Sequence, residues 1–126
     1  MTEFLLNAHS GWQYVTLLAV VVSLGFSFQK TMTSTSEKVY RISAVVIDIQ
    51  VALGIVLWLF DSGWSLGFLQ GWLHPIAGLA AVGVVHAIVS KSRGLDPAEA
   101  NTRVRYGFLV VLVLVVAAIA IAELAS

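Results

Sequence analysis

Three histidines and one aspartate are the residues of this chain best suited to chemistry. His9 and His74 each stand at the head of a long apolar stretch, which puts them at the same end of two helices in a bundle. Two imidazoles at one depth on two helices are what a bis-histidine haem requires, one on each axial face of the iron. Gly78, one turn after His74, would let a porphyrin approach the backbone. Gln13, one turn below His9, would bond a propionate or orient a ligand. The bland alternative is a pair of interfacial histidines within reach of water.

His86 cannot join that pair. It follows His74 by twelve residues, about 18 Å along a helix at 1.5 Å per residue. The partner within its reach is Asp48, two turns inside another apolar stretch. Such a pair would keep the carboxylate charged or hold one imidazole tautomer in place. Alternatively, Asp48 pairs with Arg41 on its own helix and His86 bonds a carbonyl.

The elements that must position these residues follow from composition. Of 126 residues, 59% are hydrophobic and 11% charged, against roughly half and a quarter in soluble domains. That balance suits lipid as solvent. Four stretches reach the roughly 17–25 apolar residues that a bilayer-spanning helix needs: about 10–28, 40–60, 74–90 and 104–124. The last is almost unbroken Val, Leu, Ile and Ala, which in water would read as strand. In lipid every backbone group must be satisfied within its own segment, so it reads as helix. The expected fold is therefore all-α, a single domain over 1–126, with four transmembrane helices running up-down-up-down. Gln29–Lys38, Asp61–Trp72 and Lys91–Arg103 are the expected connectors, and Pro75 sits where a helix-opening proline belongs.

Charge sets the expected orientation. Lys30, Lys38, Arg41, Lys91, Arg93, Arg103 and Arg105 all fall on one side of the four spans, and Glu3, Asp61 and Glu123 on the other. The positive-inside rule puts the basic side in the cytoplasm and both termini outside. Trp12, Trp58, Trp64 and Trp72 lie toward the outer face, as an interfacial aromatic belt would. The start of the chain has no basic n-region or small-residue cleavage site, so the first span is expected to remain in the mature protein.

Other functions are excluded or disfavoured by what the chain lacks. Net charge is zero, and seven scattered basic residues do not make a nucleic-acid surface. The absence of cysteine removes disulfides, thiolate metal sites and covalent haem attachment. No phosphate-binding glycine loop or Ser/His/Asp set is present, so an electron carrier or complex subunit is favoured over a self-contained enzyme.

Polar residues at membrane depth are costly, and on the first helix they align. His9, Gln13, Thr16, Ser23 and Ser27, with Val20, lie close to one line at 100° per residue. This face is expected to look inward, toward a cofactor or partner helices, unless its hydroxyls simply bond their own backbone. On the second helix Gln50 points roughly opposite to Asp48, in line with Ser43 and Gly54. The fourth helix offers no ligand and is expected to pack through Ala117, Ala118, Ala120 and Ala122.

Three segments carry a resemblance: His9-Ser10-Gly11-Trp12-Gln13-Tyr14, Asp48-Ile49-Gln50-Val51-Ala52-Leu53-Gly54, and His74-Pro75-Ile76-Ala77-Gly78-Leu79 followed by His86. In order and spacing the chain resembles small four-helix bacterial membrane proteins of the cytochrome b or cytochrome b-like type. The resemblance implies an inner-membrane, b-type haem protein for electron transfer, with His9 and His74 as axial ligands. Those relatives often carry Arg where Gln13 stands and His where Asp48 stands. A carboxylate is a poor axial partner for low-spin haem, so His86 with Asp48 makes a weak second site and one haem is expected. The implied partners are the lipid bilayer, a quinone or redox protein, or a larger complex. The alternative is a colourless or pigment-binding accessory subunit of such a complex.

Overall fold

A computed structural model describes residues 2–125. Among these the chain forms four long helices, α1 (Thr2–Phe26), α2 (Ser34–Phe60), α3 (His74–Ser92) and α4 (Pro97–Ala125), and no strand. Each packs on its neighbours in the chain, and α4 closes the ring against α1. Short connectors make consecutive helices antiparallel, so the starts of α1 and α3 share one end with the finishes of α2 and α4. This is called the histidine end below, and the opposite one the basic end.

Three helical segments are long and apolar enough to cross a membrane: Ser34–Phe60, Leu69–Ser92 and Pro97–Ala125. α1, which carries the polar stripe, is not among them.

The helices overrun the apolar spans because local capping chemistry extends them. α2 begins at Ser34, within the expected connector, because Thr33 and Ser36 form a reciprocal capping box. The Ser36 amide donates to Thr33 Oγ1 at 3.1 Å and the Thr33 amide to Ser36 Oγ at 2.8 Å. α4 likewise starts at Pro97, where a missing N–H costs nothing, with the Asp96 carboxylate accepting from the Ala98 amide.

The third helix also departs from expectation. Asp61–Trp72 is not a loop throughout: Leu69–Leu73 forms a π-helical turn that runs directly into α3. Pro75 therefore lies just inside a continuing helical path. A proline at 75 cannot donate to the carbonyl four residues back, and that carbonyl, of Gly71, accepts from the Trp58 indole N–H at 2.7 Å. Trp58 in turn packs edge-on against Trp64 and Trp72, with ring centres 5.3 and 5.6 Å away. Trp12 stands apart from this cluster and bonds the Val46 carbonyl across α1 and α2.

The tightest packing lies toward the basic end. Val20, Tyr40, Ala44, Ile47, Ala81, Val85, Val89, Val104, Phe108 and Val111 form the buried cluster. Gly107 brings α4 against Ile88 of α3, and a Cβ at 107 would overlap that side chain. Asn101, fully buried, ties the connectors down. Its amide donates to the carbonyls of Gln29, Thr31 and Phe26 at 2.9, 3.2 and 3.4 Å, and its oxygen accepts from the Tyr40 hydroxyl at 2.6 Å. Arg105 donates to the Ser27 carbonyl and covers the Phe28 ring.

Candidate functional site: a histidine pair between α1 and α3

The polar stripe of α1 does face inward. Thr16, Val20, Ser23 and Ser27 are buried, and His9 and Gln13 half-buried. The hydroxyls divide between the two expected roles. Ser27 donates to the Leu24 carbonyl of its own turn, whereas Ser23 and Ser43 bond each other between helices at 2.6 Å. Thr16 Oγ1 is buried with no hydrogen-bond partner among the described residues.

The face of α2 that receives this stripe is the one carrying Ser43, Gln50 and Gly54. The His9 ring lies on Gly54: a Cβ there would stand 2.8 Å from His9 Cε1. His9 Nδ1 bonds the Gln50 carbonyl at 3.1 Å. Opposite, His74 Nδ1 bonds the Ala118 carbonyl of α4 at 2.8 Å. A carbonyl only accepts, so Nδ1 must carry the hydrogen in both rings and Nε2 keeps its lone pair. That is the usual arrangement for metal-binding histidines, whose second nitrogen donates to a carbonyl or carboxylate.

The two rings meet. Their centres are 6.1 Å apart and their planes cross at 87°. Imidazoles on opposite sides of one metal, each bonded at about 2.0–2.1 Å, hold their centres about 6 Å apart. The observed spacing is of that size. The chemistry of the donor set, one imidazole from α1 and one from α3 with their Nδ1 atoms taken by carbonyls of α2 and α4, suits a shared metal ion.

Of the remaining candidates, Gly78 faces α2, where a Cβ would meet Val51 Cγ2 at 3.4 Å; the closeness it provides here is between helices. Gln13 lies one turn beyond His9 on the same face. His86 and Asp48 do pair: His86 Nε2 lies 2.8 and 2.9 Å from the two carboxylate oxygens. Arg41 is not the partner that Asp48 takes. Among the described residues no cluster of three or more His, Cys, Asp or Glu side chains could hold a metal.

Sequence reading misses two parts of this site, the carbonyls of Gln50 and Ala118. Backbone acceptors have no residue signature, and α4 looks chemically empty. The alignment of Gly54 with Gln50 on α2 was the one available hint. No protein-family model, curated protein or solved structure matches the chain.

Proposed function

We propose that this chain is a membrane-embedded b-type haem protein for electron transfer, holding one haem between His9 and His74. The observation that supports it is the histidine pair itself, with centres 6.1 Å apart and both Nδ1 atoms bonded to carbonyls. When bound, haem supplies one-electron redox chemistry, and the protein's part is ligation, orientation and a controlled dielectric. His9 and His74 would hold the iron through Nε2, the nitrogen not bonded to a carbonyl. Gln50 and Ala118 fix the tautomer and the ring direction, and raise ligand basicity. Gly54 leaves room for the His9 ring, and Gln13, one turn beyond His9, would bond a propionate.

In this reading α1 is the fourth span, despite its polar stripe, because that stripe turns inward while residues such as Leu18 and Val21 face out. The distribution of Lys and Arg puts the basic end in the cytoplasm and the histidine pair near the outer face of a bacterial inner membrane. A haem at that depth would exchange electrons with a quinone or an external redox protein. The deciding experiment is the absorption spectrum of the purified, haem-supplied protein. A Soret band with sharp α and β bands on reduction is expected. A colourless protein, unchanged by substitution of all three histidines, would overturn the proposal in favour of an accessory subunit.

A further inference from the structure

Asp48 and His86 form a polar pair on the outside of the bundle. Asp48 lies seven residues inward from Arg41, and His86 five residues inward from Lys91, about 10 and 8 Å along their axes. Both lie within helices apolar enough to span a membrane. The pair bridges the outer edge of the α2–α3 seam, with the His86 side chain 53% and the Asp48 side chain 39% exposed. Its neighbours on that surface are apolar or small: Val45, Ile49 and Ala52 on α2, and Leu79, Gly83 and Ala87 on α3. A polar pair left against lipid tails is costly, and such groups normally face protein or a water-filled cavity.

We infer that this surface is where two copies of the chain associate, seam against seam, about a two-fold axis along the membrane normal. Three observations select a second copy. Copies inserted the same way carry the pair at the same depth, so matching polar groups across the interface needs no further adjustment. The pair is also self-complementary. With Nε2–H given to Asp48, His86 keeps a second ring nitrogen, and the carboxylate keeps unused lone pairs. A two-fold axis turns each imidazole toward the other copy's carboxylate, as an isologous interface requires. Finally, the helix surface beside the pair is low: a Cβ at Gly83 would meet nothing within 4 Å. Small residues let membrane helices approach closely and let polar groups bond across them.

The inference rests on the membrane reading and is independent of the haem, since it uses neither His9 nor His74. The chain contains no cysteine, so one introduced thiol can form a disulfide only between copies. In lipid vesicles, full-length Gly83→Cys is expected to give a disulfide-linked dimer on mild oxidation. Val113→Cys, on the exposed face of α4, is expected to remain monomeric. Replacing both members of the pair (Asp48→Leu with His86→Leu) in the Gly83→Cys background should weaken association on the order of tenfold, in line with one or two interhelical hydrogen bonds. A Gly83→Cys protein that stays monomeric overturns the inference, as does equal cross-linking at Gly83 and Val113. If the double replacement fails to fold, cross-linking in the otherwise natural chain still decides the question. Dimers that persist undiminished in a folded double variant also overturn it.

Discussion

The two halves of this bundle are built differently. Toward the basic end, all four helices contribute fully buried side chains, Val20, Ile47, Val85 and Phe108 among them, and Asn101 and Arg105 fasten the connectors. Toward the histidine end, the inward-facing residues are mostly only half-buried, and the specific contacts are those of His9, His74 and the Trp58 cluster. Jigsaw packing gives stability and a unique fold. A site that binds a large planar group needs the opposite, side chains held apart by directional bonds. On the proposed function, stability resides in one half and chemistry in the other.

The contrast can be broken most sharply at the histidines. His74→Ala or His9→Ala is expected to abolish the Soret, α and β bands of haem-supplied protein while leaving the helical circular dichroism unchanged. Loss of helix together with colour would mean that the pair serves folding.

The mirror experiment is Asn101→Ala. It strands the Tyr40 hydroxyl and the carbonyls of Gln29 and Thr31, and should cost about 3 kcal/mol of stability. Denaturant melting in detergent is the measurement, and any haem that remains bound should keep the natural spectrum.

Gly54→Ala should do the reverse. Its methyl group pushes against the His9 ring, so the haem bands should weaken or shift while stability changes by no more than about 1 kcal/mol, the gain in helix propensity from glycine to alanine being of that size. A full-strength, unshifted spectrum would show that Gly54 does not set the ring.

The smallest effect is expected from His86→Ala. It lies off the clamp, so the reduced spectrum should stay within measurement error of the natural chain. Loss of the bands there would move the haem to the wrong half.

Much of this was legible from residue types. The four helices, and the end of the bundle at which each histidine lies, followed from apolar runs and their spacing. The inward stripe of α1 followed from helical periodicity, which left Asp48 between His86 and Arg41. The helix boundaries were less legible. The Thr33–Ser36 box and Pro97 extend α2 and α4 into segments whose polarity reads as connector, and the π turn before Pro75 has no pattern of its own. The Asn101 clasp was invisible, since one asparagine near a helix start resembles any other until the carbonyls around it are in place.

By itself, then, the sequence determined that four long helices form, that the polar face of α1 turns inward and at which end of its helix each histidine sits. These follow from the energetics of a single helix in its surroundings. Only the tertiary structure decided that the His9 and His74 rings meet at 6.1 Å, that carbonyls of α2 and α4 aim them, and that Asp48 takes His86 as its partner. Those outcomes depend on the rotation and approach of one helix against another, which packing of the whole bundle sets.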